Sequence, residues 1–211
     1  MRNGITFFLG LFCALGLSWG ALVVGTRSQY AGIKPHYDDN EGDNFPQRPA
    51  GVAARGQLVY QDLGCAACHT QQVRRPGIGS DKERGWGDRQ TVARDFLYEA
   101  RPQLGTMRIG PDLANYAARA EPAGMIPDRL LAYLYNGHGG MPAYPFLFEK
   151  RKIAGERAEH ALKVRTEAGY EIVPTGRAND LVAYLLSLNH KYEFPEAQPA
   201  THDKGEEGEK K

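Results

Sequence analysis

Five consecutive residues, Cys65-Ala66-Ala67-Cys68-His69, carry the most distinctive chemistry in this chain. Two thiols at this spacing can add to the two vinyl groups of a haem, and the adjacent imidazole can ligate the iron from one face. The spacing matters because two thioether anchors and one ligand must reach a single rigid macrocycle. The C-x-x-C-H pattern therefore predicts one covalently bound haem c, held by Cys65, Cys68 and His69.

The other interpretations of the two cysteines are weaker. A structural zinc site needs four ligands, and the only further cysteine, Cys13, lies inside an apolar run. A thioredoxin-like C-x-x-C needs a preceding strand, whereas residues 52–64 have the pattern of a helix entering a turn. A plain disulfide would leave His69 unexplained. The chain has no second C-x-x-C-H, so one haem is expected.

Residues 5–24 contain no charged side chain, and a helix of that length spans about 30 Å, the hydrocarbon thickness of a bilayer. A cleaved signal peptide is the alternative, but the run is longer than the apolar h-region of a typical signal peptide and no clean A-x-A site follows. We therefore expect a single-pass anchor in the inner (cell) membrane. Because haem c is normally attached on the exported side, the N-terminus is expected to be cytoplasmic and the haem domain periplasmic.

Composition divides the chain into four segments. We assign residues 1–27 to the transmembrane anchor and 28–50, rich in Gly and Pro without periodicity, to a linker. Residues 51–195 form the folded domain, and 196–211 form a charged tail that is expected to be disordered. The net charge of +1 gives no reason to expect a nucleic-acid partner.

Three helices are predicted in the domain from hydrophobic spacing and end signals. The first covers about 52–63, and the second begins at Pro127 and is closed by Asn136-Gly137. The last is capped by Asn179 or Asp180. The charged segment 148–177 is expected to form an amphipathic surface helix, with a contact for another subunit as the alternative.

This arrangement resembles class I cytochrome c, in which the first and last helices cross at close range. Gly56 and Tyr60 on the first helix, with Leu181 and Tyr184 on the last, fit that pattern. Gly110-Pro111 also resembles the family, which implies that the Pro111 carbonyl accepts a hydrogen bond from the ring N–H of the ligating histidine. The fold is thus expected to be mainly α: one transmembrane helix, then a class I cytochrome c-like helical domain with long insertions.

The second axial ligand is expected to be Met141. It lies in a loop with glycines before it and prolines after it, as the corresponding ligand does in class I cytochromes. His138 is the competing ligand. Met107 lies close to the Gly110-Pro111 turn, and Met125 lies in a Pro/Gly-rich connection, so both are less suitable.

Over a longer stretch, the sequence resembles the mono-haem cytochrome c subunit (subunit II, FixO family) of cbb3-type cytochrome c oxidases. The matching segments are residues 64–74, 84–87, 91–97, 105–115 and 141–146, together with the N-terminal anchor. The resemblance implies a non-catalytic redox subunit that relays electrons to the membrane catalytic haem–copper subunit, which reduces oxygen to water. Another cytochrome c subunit or a periplasmic electron donor would supply the electrons. The alternatives are a free-standing membrane-anchored cytochrome c carrier, or the cytochrome c subunit of a related nitric oxide reductase.

The long insertion between Arg74 and Met107 is expected to be a docking surface, because Trp and Arg are enriched in interface hot spots. Its aromatic side chains are Trp86, Phe96 and Tyr98. The alternative is that it wraps and shields the haem. Three arginines are candidates to pair with haem propionates: Arg74, Arg75 and Arg108.

Overall fold

The computed structural model describes residues 2–198. The α-helices are α1 Arg2–Trp19, α2 Thr26–Ala31, α3 Gly51–Asp62, α4 Tyr116–Ala120, α5 Pro127–Asn136 and α6 Gly176–Leu185. The strands are β1 His36–Asp38, β2 Asp43–Phe45, β3 Phe148–Lys152 and β4 Tyr170–Pro174. The expected mainly α fold with an N-terminal apolar helix is confirmed.

A continuous helical run at the N-terminus joins α1 to α2 through a π-helical turn, Gly20–Gly25. Residues Asn3–Ala31 are long and apolar enough to cross a membrane, with a mean hydropathy of 2.2 and none of the most apolar window buried. At 1.5 Å per residue this run exceeds the roughly 30 Å of a hydrocarbon core. The predicted segment 5–24 lies inside it.

The domain core forms where α3 crosses α6. A Cβ added at Gly56 would lie 1.9 Å from the carbonyl oxygen of Asp180 and 2.6 Å from Cβ of Tyr184. The rings of Tyr60 and Tyr184 meet edge to face, with centroids 5.5 Å apart. The predicted close crossing of the first and last helices is therefore confirmed, and it requires the absence of a side chain at Gly56.

The N-terminus of α6 differs from the prediction. The helix begins at Gly176, and the capping side chain is Thr175, whose hydroxyl accepts a bond from the Ala178 amide. Asp180 lies one turn inside and pairs with Arg55 through two bonds of 2.9 Å. The predicted cap at Asn179 or Asp180 is wrong because the helix already begins at Gly176, which places both residues in its first turns. The predicted start of α5 at Pro127 and its end at Gly137 are confirmed.

The segment 148–177 contains an antiparallel hairpin, so the predicted amphipathic helix is wrong. Strands β3 and β4 pair from Phe148 opposite Pro174 to Lys152 opposite Tyr170. The β-branched Ile172 and Val173 are buried in the core, which suits a strand better than a helix. Outside the strands, Gly155 and Gly169 adopt positive φ, which interrupts any helix.

A second, smaller cluster joins the segment 28–50 to the end of the domain. The hairpin β1–β2 packs there, with Phe45 stacked on Tyr192 at 4.4 Å. The Asp38 carboxylate accepts the Glu193 amide at 2.6 Å. The segment expected to be a featureless linker therefore contains ordered structure. Of the expected tail, residues 199–211 lie outside the described residues.

A carboxyl group with an unusual environment lies between these two clusters. Burial raises the pKa of Glu99 from 4.5 to about 7, and the charge of Asp95 adds to the shift. One carboxyl oxygen of Glu99 is buried without a hydrogen-bond partner. Glu99 lines a cavity of about 330 Å³ together with Tyr184 and His190. The environment thus favours the neutral acid.

The first prediction concerns the helix crossing. Gly56→Ala places a methyl group against backbone, so it should destabilise the folded state by about 1–3 kcal/mol through overpacking. Chemical denaturation followed by tryptophan fluorescence measures the change. Gly51→Ala is the matched control because a Cβ there meets nothing within 4 Å. Equal stabilities of the two variants would contradict the role given to the crossing.

The second prediction concerns pH. The folded chain binds a proton at Glu99 more tightly than the unfolded chain, so this residue makes stability fall as pH rises from about 4.5 towards 7. Glu99→Gln, which stays neutral, should flatten that fall by up to roughly 2 kcal/mol. Denaturation midpoints at a series of pH values measure it. The exposed Glu83→Gln is the control, and a profile unchanged in Glu99→Gln would refute the assignment.

Candidate haem site

The two cysteines and the histidine lie on one tight turn directly after α3. Gly64 takes the left-handed conformation with φ of 68°, and a short 3₁₀ helix follows at Cys65–Ala67. The amide of His69 donates to the Cys65 carbonyl at 2.9 Å, and that of Cys68 donates to the same oxygen at 3.2 Å. Side chains at positions i, i+3 and i+4 of such a turn are neighbours. All three are half-buried, and both thiols are free.

The His69 ring is oriented by Pro111. Its Nδ1 lies 3.0 Å from the Pro111 carbonyl oxygen. A carbonyl can only accept, so Nδ1 carries the proton and Nε2 keeps the lone pair that a metal would use. The His69–Pro111 contact expected from the family resemblance is present in the structure.

Gly110 lets the chain pass directly against the imidazole. A Cβ at this position would lie 2.3 Å from Cε1 of His69, so any side chain would push the ring away. The Gly110 amide donates to the Cys68 carbonyl at 2.9 Å. The segment holding Pro111 is therefore bound to the cysteine turn itself as well as to the imidazole.

The two crossing helices, α3 and α6, also bind this turn through hydrogen bonds. The Tyr60 hydroxyl donates to the His69 carbonyl, and the Tyr184 hydroxyl donates to the Gln71 side chain at 2.9 Å. Both tyrosines belong to the α3–α6 contact. The backbone of the motif is consequently tied to the part of the core that Gly56 makes possible.

Asp112 connects the two chain segments beside the histidine. Its carboxylate is fully buried and accepts the amides of Gln72 and Ala114, each at 2.8 Å. Burial raises the pKa of Asp112, against the lowering effect of these two bonds. Next to it, the Leu113 amide donates to the Thr70 carbonyl at 2.9 Å.

The loop after α5 brings Met141 towards the cysteine turn. Gly139 and Gly140 both adopt positive φ, and the Met141 amide donates to the His138 carbonyl at 2.9 Å. Met141 is half-buried against the main core cluster, against which Cys65 also packs. Burial, and then the proximity of the two cysteines, raises the pKa of Tyr144, which lies three residues further on. Met141, Tyr144 and Cys65 therefore pack against the same core cluster.

The competing ligands have different surroundings, although His138 lies in the same loop as Met141. His138 is exposed and stacks on Tyr133, with ring centroids 4.1 Å apart. Met107 is 57% exposed. Met125 is half-buried and packs near Ala117 and Leu186.

The residues present fit a haem of the predicted kind. The donor set comprises two thiols, an imidazole with a free Nε2 and a thioether. Cys65 and Met141 are half-buried against the main core cluster, against which the apolar side chains of Leu63, Ala66 and Tyr144 also pack. Burial raises the pKa of the Cys65 thiol to about 11. Among residues 2–198, no group of three or more His, Cys, Asp or Glu side chains is arranged to hold a metal ion.

One expectation about the insertion changes with the structure. Trp86 is only 9% exposed, with Arg108 and Arg84 over its ring. Its predicted place on a docking surface is therefore wrong, because the ring is buried and packs against these two arginines. Of the three arginines that are candidates to pair with haem propionates, Arg75 is exposed, whereas Arg74 and Arg108 bind Asp81.

Sequence reasoning missed Asp81. The residue is fully buried and accepts bonds from both arginines. No local pattern distinguishes it from the other acidic residues of this charged stretch. Its importance appears only when residues far apart in sequence are brought together.

Comparison with known proteins identifies one family. A family model described as "Cytochrome C oxidase, mono-heme subunit/FixO" matches residues 46–178. The match includes the cysteine turn, the Gly110-Pro111 segment and the Met141 loop. No curated protein matches the chain.

Proposed function

This chain belongs to the FixO family of mono-haem cytochrome c oxidase subunits, and we propose that it is the electron-relay subunit of a cbb3-type oxidase. In this role it passes electrons through one covalently attached haem c to the membrane haem–copper subunit that reduces oxygen. One observation carries the proposal: the Cys65–His69 turn, with the imidazole Nε2 left free by the Pro111 contact, in a chain of this family.

Each site residue has a separate task. Cys65 and Cys68 would provide the thioether anchors, and His69 Nε2 and the Met141 thioether would ligate the iron. Pro111 holds the imidazole in one tautomer and orientation and makes it more basic. When bound, haem c supplies a one-electron iron couple, whose potential is raised by thioether ligation.

The membrane anchor determines where the haem domain lies relative to the membrane. We assign residues 1–27 to the anchor, most of which lies in the apolar run Asn3–Ala31, and 51–195 to the haem domain. The N-terminus is then cytoplasmic and the haem domain lies on the periplasmic side of the inner membrane. There it meets the haem–copper subunit and receives electrons from a second cytochrome c subunit or a periplasmic donor.

The covalent attachment is tested first. Cys68→Ser removes one thioether, so haem staining of this chain on a denaturing gel should be strongly reduced or abolished. The Cys13→Ser variant, in which an exposed cysteine is replaced, should keep full staining.

The partner is tested by purifying the wild-type chain in mild detergent. The proposal expects haem–copper subunits to copurify with it. Stoichiometric zinc without haem would refute the cofactor, and a chain that purifies alone would favour a free-standing carrier.

The second axial ligand is tested by redox titration with near-infrared magnetic circular dichroism. Met141→Ala should keep its covalent haem but lose the thioether, so the potential should fall. Each drop of about 59 mV makes a one-electron transfer to this haem tenfold less favourable, and oxidase turnover should fall with it. The exposed Met107→Ala should behave as wild type. An unchanged spectrum in Met141→Ala combined with an altered one in His138→Ala would mean that the iron has two histidine ligands.

A further inference from the structure

A buried carboxylate joins two arginines beside the candidate haem site. One oxygen of Asp81 accepts a bond of 2.9 Å from Nη2 of Arg74. The other accepts Nη2 of Arg108 at 2.6 Å and the backbone amide of Arg74 at 2.8 Å. The Asp81 side chain is completely buried, whereas those of Arg74 and Arg108 are 36% and 16% exposed. We call these three residues the Asp81 clamp.

The clamp is stronger than a surface ion pair. Charge-assisted bonds to a buried carboxylate are among the strongest hydrogen bonds in proteins. Burial alone raises the pKa of Asp81, but the bonds from Arg74 and the charge of Arg108 outweigh it and hold that pKa below its ordinary value. The carboxylate is thus ionised and fully engaged at neutral pH.

The two arginines belong to the two chain segments that flank His69. Arg74 follows the histidine by five residues, and Arg108 precedes Pro111 by three. Arg108 also donates to the Gln72 carbonyl at 3.0 Å. The clamp therefore ties the segment that carries the imidazole to the segment that carries its hydrogen-bond acceptor.

Arg108 is held in a conformation that it would not adopt by itself. Its φ is 48°, and it is the one non-glycine residue with positive φ in the part of the chain that the structure describes. Such a conformation is unfavourable for a residue other than glycine and persists only where the surroundings impose it. The contacts of Arg108 with Asp81 and Gln72, and its position over the Trp86 ring, supply that constraint.

We propose that Asp81 is a positioning residue for the axial histidine, because it holds the Pro111 carbonyl against Nδ1 of His69 through Arg108 and Arg74. This inference rests on the proposed function. A firm Nδ1–H···O bond makes the imidazole a more basic ligand and fixes its plane. A more basic ligand favours the oxidised iron, so loosening the clamp raises the reduction potential.

Two substitutions with opposite charge changes separate positioning from a simple field effect. Asp81→Asn removes a negative charge, and Arg108→Gln removes a positive one. If only the field of these charges matters, the potential rises in the first variant and falls in the second. If the clamp positions His69, the potential rises in both, because both break the same connection.

A direct readout follows the hydrogen bond itself. The full-length chain is purified in detergent with ¹⁵N-labelled histidine, and exchange of the His69 Nδ1–H with solvent is measured by NMR in the reduced state. Exchange should be about tenfold faster, or more, in both variants. Asp95→Asn is the matched control, because Asp95 makes an equally buried pair with Arg89 at 2.7 Å but does not join the two segments. It should leave the His69 exchange rate unchanged.

The possible outcomes decide the matter. Higher potentials and faster exchange in both clamp variants support the inference. Potential shifts of opposite sign, with His69 exchange as in wild type, overturn it while leaving the haem assignment intact. If Asp81→Asn fails to mature, Arg108→Gln and Arg74→Gln carry the same test, since each retains one arm of the clamp. A wild-type chain without histidine-ligated haem would instead refute the proposed function.

Discussion

The contact on which the rest of the domain depends is the close approach of α3 and α6 at Gly56. No side chain fits there, since an added Cβ would lie within 2 Å of the Asp180 carbonyl oxygen. The missing side chain lets Tyr60 and Tyr184 meet edge to face. Aromatic pairs of this geometry add to the energy of the area they bury. The crossing thereby joins two helices that are more than a hundred residues apart in sequence.

The same two tyrosines transmit this packing to the cysteine turn. Burial raises the pKa of both phenols well above the ordinary value, so both hydroxyls stay protonated and able to donate. Tyr60 donates to the His69 carbonyl and Tyr184 to Gln71. The backbone around the motif is therefore fixed by neutral donors whose function does not change with pH in the physiological range.

The sequence predicted well those features that depend on local chemistry or on a short spacing. The C-x-x-C-H turn, the proline start of α5 and the small residue at the helix crossing are of this kind. The hairpin β3–β4 was mistaken for a helix because its charged residues have no clear period, and the burial of Ile172 and Val173 depends on distant partners. The predicted cap of α6 lies inside the helix because the true cap, Thr175, is followed by glycine, a residue of low helix propensity.

Buried polar contacts between distant segments could not be predicted in the same way. Asp81 is one acidic residue among several in a charged stretch, and only the fold shows that it receives bonds from Arg74 and Arg108. The hairpin β1–β2 likewise gains its order from Tyr192 and Glu193 at the other end of the chain. Such contacts carry no local period because their partners are selected by the completed fold.

His69 is therefore held from two independent sides. The helix crossing fixes its backbone through Tyr60, while Pro111 fixes its ring through Nδ1. The two supports differ in kind: the first is neutral and belongs to the apolar core, and the second is backed by a charged cluster in the insertion. Because an apolar core contributes mainly stability and a hydrogen bond to an imidazole tunes its basicity, the two can vary separately. The core can keep the fold while the hydrogen bond to the imidazole changes, and the segment between Arg74 and Met107 contributes Asp81 to the charged cluster beside that bond.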